Sequence, residues 1–321
     1  MPLPAKIDPE DFDTDYRLDP REWRFAIEEL CAIHGVSHRQ VRAFPQGSNL
    51  VAAVDERWVV KIFPPFHRHQ WESERRVLPR IHGQLSVAVP ALIAQGTRED
   101  GWTYVIVEKL SGVLLESCWP SLTHADKRRI LTQIGAAMAS AHAVPVEELS
   151  KLPPDWNTFV RVQAVASRER HERRGMPDWL IAGMDELVGD GAAFEIPERE
   201  RVLLTGEYTP FNLLAHRGPR GWHLSGMFDF GDAMIGPRDY DLLGPSLFLA
   251  EGNAALIAAL FRGYTGGRAQ LDADRRMRLL GLMLLHRYSN LDNQIRIPRW
   301  RERARSPLEL AKLIWPEPSL D

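Results

Sequence analysis

The chain has 321 residues, 44% of them apolar and 26% charged, as in an ordinary soluble globular protein. That is more chain than one small core fills, so two lobes, or a lobe with an insertion, are expected. A net charge of -3 and a pI of about 6.4 supply no basic field for nucleic acid, and two cysteines, Cys31 and Cys118, exclude a disulfide framework and form no metal-spaced pair.

Residues 1–20 are rich in Asp and Pro and read as an extended, loosely held arm. The first thirty residues are charged and lack an apolar core, so no signal peptide is expected; no long apolar run occurs, so no membrane span is expected and the cytoplasm is the simplest compartment. From Pro20 to Ile33 the spacing of Trp23, Phe25, Ile27, Leu30 and Ile33 predicts a helix closed by Gly35. Strands follow at Val41–Phe44, Asn49–Val54 and Trp58–Phe63, with Pro45-Gln46-Gly47-Ser48 and Asp55-Glu56-Arg57 as turns.

The third strand, V-V-K-I-F, carries Lys61 inside an apolar run. A lysine there is costly unless a carboxylate or phosphate pairs with it; the alternative is an edge-strand lysine reaching solvent. Arg68–Ile81 has a helical pattern and supplies candidate partners. Glu74 is preferred over Glu72 because Leu78 and Ile81, at helical spacing, share its core-facing side. A strand lysine paired with a helix glutamate, holding the α- and β-phosphates of ATP, is the arrangement kinases use.

Two more strands, Pro90–Gln95 and Tyr104–Glu108, flank a charged turn at Arg98–Gly101. The second runs out through V-E-K-L-S-G. This is either a crossover whose backbone at Glu108 and Leu110 reaches an adenine edge or a plain strand-to-loop exit. Asp126–His142 then reads as an amphipathic helix, with His142 a C-terminal charge or a core hydrogen-bonder. A charged segment with helical pieces at Phe159–Arg170 and Trp179–Val188 reads as an insertion that shapes a substrate cleft. Helices are expected at Ser246–Ala250, Asn253–Tyr264, Asp272–Asn290 and Pro307–Ile314.

The richest stretch is Val202–Leu243. Short apolar runs at Val202–Leu204, Leu213–Ala215 and His223–Phe228, the last two joined by a turn at His216–Gly221, place Glu207, Asn212 and Asp229 at strand ends. Two carboxylates and a carboxamide grouped on tight turns suit a hard cation such as magnesium on a phosphate chain; the alternative is a hairpin whose polar ends face water.

The order of these features resembles the aminoglycoside phosphotransferase family. T-G-E-Y-T-P-F-N at 205–212 is similar to the family's H-G-D-x-x-x-x-N, and F-D-F-G-D at 228–232 is the second anchor. V-V-K-I-F, V-E-K-L-S-G and G-P-R-D-Y-D-L-L support them. The resemblance implies an α+β, two-lobed protein-kinase-like fold. Residues 1–108 would be a small antiparallel-sheet nucleotide-binding lobe. Residues 109–321 would be a larger, mostly helical catalytic and substrate lobe, with its insertion at about 145–200.

It further implies an ATP- (or GTP-) and Mg²⁺-dependent phosphotransferase acting on a small-molecule hydroxyl. The acceptor would be an aminoglycoside-like or peptide antibiotic or a related metabolite, with antibiotic resistance as the outcome. In the implied roles Lys61, oriented by Glu74, holds the α- and β-phosphates, and Gly47 and Ser48 form the turn over them. Asn212 and Asp229 ligate magnesium, with Asp232 an outer-shell helper; Glu207 positions or deprotonates the acceptor, and Asp241 braces the catalytic loop through backbone amides. Neither nucleic acid nor membrane is implied as a partner, and the chain is expected as a monomer or homodimer.

Two departures stand out: Thr205 replaces the family's His and Glu207 its catalytic Asp. A glutamate reaches one methylene further, and a misplacement near 1 Å costs about 10²-fold unless the loop is reshaped. The alternative to an active enzyme is therefore a catalytically impaired, pseudokinase-like nucleotide-binding regulatory module. Transfer to a protein is disfavoured by the early turn at Gly236-Pro237 and the lack of an A-P-E-like segment. Glu169, Asp178, Asp185, Glu186 and Asp292 either receive a cationic substrate or are solvated surface.

Overall fold

A computed structural model describes residues 2–206, 208–267 and 271–317. The chain divides into two compact units, one made of Met1–Gly83, Ala88–Ser111 and Phe228–Asp232, the other of Gln84–Val87, Gly112–Met227 and Ala233–Asp321.

Among the described residues, the first unit holds a five-stranded antiparallel sheet of β1 (Val41–Phe44), β2 (Leu50–Val54), β3 (Trp58–Phe63), β4 (Leu92–Thr97) and β5 (Thr103–Glu108), in the order β1-β2-β3-β5-β4. Side chains alternate between its faces. One face, with Leu50, Ala52, Val54, Val60, Ile62, Tyr104 and Ile106, packs on Trp23, Ala26, Ile27 and Leu30 of the N-terminal region. Lys61, opposite Val51 and Val105, belongs to the other face. The Arg68–Ile81 helix packs against β3, β4 and β5 and buries Trp71, Glu74, Val77, Leu78 and Ile81.

The expected loose arm is instead part of this core. Leu3 and Phe12 are buried, the Leu3 amide donates to Asp100 at 2.9 Å, and Trp102 Nε1 donates to the Pro4 carbonyl at 2.9 Å. Asp8 caps a short Pro9–Thr14 helix by accepting from the Glu10 amide, with proline at its start. Apolar residues spaced through a polar segment are enough to anchor it. The next predicted helix divides at Trp23 into a 3₁₀ turn, Pro20–Glu22, and a helix, Arg24–Ile33.

In the second unit β6 (Val113–Leu114), β8 (Leu213–Gly218) and β9 (Gly221–Met227) form one antiparallel sheet, and β7 (Val202–Leu204) pairs with β10 (Met234–Gly236). The predicted turn at His216–Gly221 shrinks to Pro219–Arg220, because His216 pairs with His223 and Arg217 with Trp222. The helices His124–Ala141 and Ala254–Thr265 pack backbone to backbone through Gly135 and Gly263; a Cβ on Gly263 would lie 1.9 Å from the Thr132 carbonyl. The helix predicted over Asp272–Asn290 is shorter, Ala273–Leu285. It stops where His286 takes an extended backbone (φ -58, ψ 133) and stacks on Tyr240.

Candidate active site

Within the first unit, Lys61 Nζ lies 2.8 and 3.0 Å from the two Glu74 carboxylate oxygens and 3.0 Å from Asp229 Oδ1. The strand dictates this: β3 is flanked on both sides, so its lysine cannot snorkel to solvent and must meet the helix that covers it. Burial alone pulls the Lys61 amine down, but the Asp229 and Glu74 charges outweigh it and hold the ammonium above its ordinary pKa. Burial pushes the Glu74 carboxyl up to about 7, the Lys61 ammonium opposes this, and Asp229 adds to the rise. One cation thus faces two carboxylates, an arrangement short of positive charge.

Asp229 differs from Glu74 in exposure: its side chain is 43% accessible against 2%. Its backbone is left-handed (φ 69), a conformation that Asp tolerates better than most residues. Gly231 lets this segment lie on the helix, since a Cβ there would sit 3.1 Å from Gln70 Cβ. Gln70 accepts from Asn49 Nδ2 at 2.9 Å, and His67 Nδ1 donates to Asn49 Oδ1 at 3.1 Å. This chain of polar contacts, which sequence reasoning missed, ties the start of the helix to the residue following Gly47 and Ser48. Gly47 has φ 98, so its turn needs a glycine.

Glu108 ends β5 with its amide bonded to the Ala91 carbonyl, and the Lys109 amide bonds to Arg57. The Leu110 amide donates to no backbone carbonyl among the described residues.

In the second unit, a loop runs from β7 at Leu204 to β8 at Leu213. Its first amides, of Thr205 and Gly206, donate to Asp241 Oδ2 and Oδ1 at 3.1 and 3.0 Å. His142 Nε2 donates to Asp241 Oδ2 at 3.2 Å, and its Nδ1 accepts from the Tyr264 hydroxyl at 2.9 Å. His142 is thus a core hydrogen-bonder, and it orients the carboxylate that shapes the loop. Gly206, at φ 74, makes the bend. Asn212, half-buried, closes the loop with its amide donating to Thr209 at 3.2 Å. Glu207 lies outside the described residues.

Helix glutamate and strand lysine are therefore together with Asp229, and Asp241 grips the loop. Glu72 pairs instead with Arg75. Three of the acidic residues considered for a cationic substrate are bound to arginines on the surface: Asp185 to Arg168, Asp292 to Arg301 and Glu169 to Arg173.

Residues 40–280 match the phosphotransferase enzyme family. The chain belongs to that family. Solved structures with the same fold include the GDP complex of wild-type aminoglycoside 2'-phosphotransferase-IIIa (20% identity, TM-score 0.66, 91% of this chain and 97% of that one). A second is the GDP and kanamycin complex of APH(2")-IIIa (22%, 0.64, 82% and 90%), and a third macrolide 2'-phosphotransferase MphH from Brachybacterium faecium (19%, 0.58, 82% and 90%). The likeness shows an α+β, kinase-like fold, with an antiparallel sheet in the N-terminal region and a mostly helical remainder.

Phosphoryl transfer on a kinase-like fold generally uses a nucleotide and a hard cation. Asp229 fits the latter: it is an oxygen donor, partly accessible, in a place where positive charge is short. Among the described residues no three His, Cys, Asp or Glu side chains are grouped to hold a metal. No helix among them is long and apolar enough to cross a membrane.

Proposed function

We propose that this chain transfers the γ-phosphate of ATP, or of GTP, to a hydroxyl of a small molecule, an antibiotic or a related metabolite. The observation that carries the reading is the Lys61–Glu74–Asp229 cluster, in a chain of the phosphotransferase family. Lys61 holds the α- and β-phosphates while Glu74 keeps it aimed. Gly47 and Ser48 cover the phosphates, and the backbone at Glu108 and Leu110 meets the base. Asp229 and Asn212 are the protein oxygens offered to Mg²⁺. The metal, when bound, supplies positive charge that offsets the charge of the transferring phosphoryl group.

The acceptor oxygen bonds to the γ-phosphorus as the bond to the β-phosphate oxygen breaks. The hydroxyl proton passes to Glu207, and the nucleoside diphosphate leaves with the electron pair. Positioning and electrostatics supply most of the rate, so the Thr205 and Gly206 backbone held by Asp241 matters as much as the charges. The reaction draws on the cytoplasmic nucleotide pool, where the chain is proposed to act.

The test is label transfer from γ-labelled ATP, with α-labelled ATP as control, to a panel of hydroxylated antibiotics and metabolites. Label on an acceptor from the γ position only, lost in Glu207→Ala, supports the mechanism. Undiminished turnover in Glu207→Ala overturns the role of that residue. Mg-ATP binding without transfer to any acceptor overturns the reading as a whole.

A further inference from the structure

Beside Asn212 the loop presents Phe211, a large apolar side chain left 43% exposed. Its ring meets Phe248 edge-on, with centroids 5.7 Å apart. The Arg296 guanidinium lies over both rings, 5.8 Å from the Phe211 centroid and 5.3 Å from that of Phe248. All three belong to the second unit.

Phe248 is not held by an ordinary helix. Ser246–Ala250 is a π-helix, and the residue that ends it, Glu251, has a left-handed backbone (φ 51). Such wide turns cost stability in a core and recur at functional sites, where they aim a side chain that a regular helix would turn away. Arg296 takes part in no ion pair among the described residues, and its guanidinium is attracted to the faces of the two rings. A guanidinium stacked on aromatic faces loses little freedom on binding and keeps its in-plane donors for a ligand.

The acidic neighbour suited to receive a polycation is already committed: Asp292, on the same connecting segment as Arg296, is held by Arg301. Apolar surface and a guanidinium without an ion-pair partner among the described residues therefore adjoin the loop, and that neighbour's carboxylate is taken up by Arg301.

We propose that Phe211, Phe248 and Arg296 form the acceptor wall of the phosphotransferase, selecting a hydroxylated acceptor that carries a flat apolar face and an anionic group. This rests on the proposed function and adds the acceptor's chemical class. The two rings take the apolar face, and Arg296 pairs with the anion while the hydroxyl is held at the loop.

The test uses 3-phenyllactate, a hydroxy acid with an aromatic face, and kanamycin, a polycation, as probes of the full chain. Binding is measured by calorimetry with Mg-ADP present, and contact with the aromatic ring by saturation-transfer NMR. The expected result is that 3-phenyllactate binds at least tenfold more tightly than kanamycin. Arg296→Gln should then weaken it about tenfold, the scale of one charge-assisted hydrogen bond, and Arg296→Lys less. Phe211→Ala should reduce saturation transfer to the ring, with Phe248 left as the remaining aromatic contact.

Tighter binding of kanamycin, or a 3-phenyllactate affinity indifferent to Arg296→Gln and Phe211→Ala, overturns the proposal. Mg-ADP binding, read in the same titrations, separates this failure from that of the phosphotransferase reading. A protein that binds the nucleotide and phosphorylates a polycation through an undisturbed wall keeps its function and loses this acceptor class.

Discussion

Two aspartates, Asp229 and Asp241, stand in opposite surroundings. The Asp229 side chain is 43% accessible and shares a lysine with a buried glutamate; that of Asp241 is 0% accessible and is gripped by two backbone amides and His142. In the proposed function the first exchanges its partner for a cation, since breaking its contact with Lys61 leaves Glu74 to hold the lysine. The second has spent its oxygens on the backbone and can only hold shape. Burial and the number of partners, more than residue identity, separate a chemical carboxylate from a structural one.

The comparison breaks most readily at Asp241. Asp241→Ala leaves two amides and His142 without their acceptor, and unfolding by urea should show a loss of about 3–5 kcal/mol. A change under about 1 kcal/mol would put the bracing role in error. Asp229→Asn should do the reverse. It should leave stability within about 1 kcal/mol, yet lower phosphoryl transfer about 10²–10³-fold in the label assay. Equal effects on stability from both variants would erase the distinction.

The units should also differ in the sign of their response to pH. In the second, burial holds His171 and His286 neutral, with pKa values lowered from 6.5 to about 4 and about 3. Their stabilising contribution is present above pH 6.5 and is lost as pH falls towards those values. For His171 this amounts to about 3 kcal/mol between pH 6.5 and 4. Urea titrations at the two pH values should show a smaller difference in His171→Gln. In the first unit the raised Glu74 pKa acts oppositely: its contribution is full below about 4.5 and declines as pH rises through about 7. Glu74→Gln should flatten that part of the stability profile, read by hydrogen exchange in the sheet; an unchanged slope would place Glu74 ionised throughout.

The smallest effect is expected at Gly206. Its left-handed backbone should make Gly206→Ala cost about 1 kcal/mol, read as a small drop in Tm, with the loop amides still protected by Asp241. A loss as large as that of Asp241→Ala would mean the bend, rather than the carboxylate, sets the loop.

Much of the first unit is legible in the chain. The V-V-K-I-F strand and the Arg68–Ile81 helix lie where their apolar periods put them, and Glu74 is distinguishable from Glu72 by the face it shares with Leu78 and Ile81. The N-terminal arm is not legible because its few apolar residues have no period, and only their fit into the sheet's core reveals them. The Asn49–Gln70–His67 contacts carry no signal, since polar residues near a turn look solvated until a helix covers them.

By itself, the sequence determined the local elements and the kinds of chemistry available, since strand and helix periods and turn residues act over a few positions. Only the tertiary structure decided which charges meet. Lys61 and Asp229 are 168 residues apart, and His142 and Asp241 are 99 apart. Phe211, Phe248 and Arg296 come from a loop, a π-helix and a late connecting segment. Partners at such separations are selected by the packing of a whole unit, and the energy of a buried charge depends on that packing more than on its neighbours along the chain.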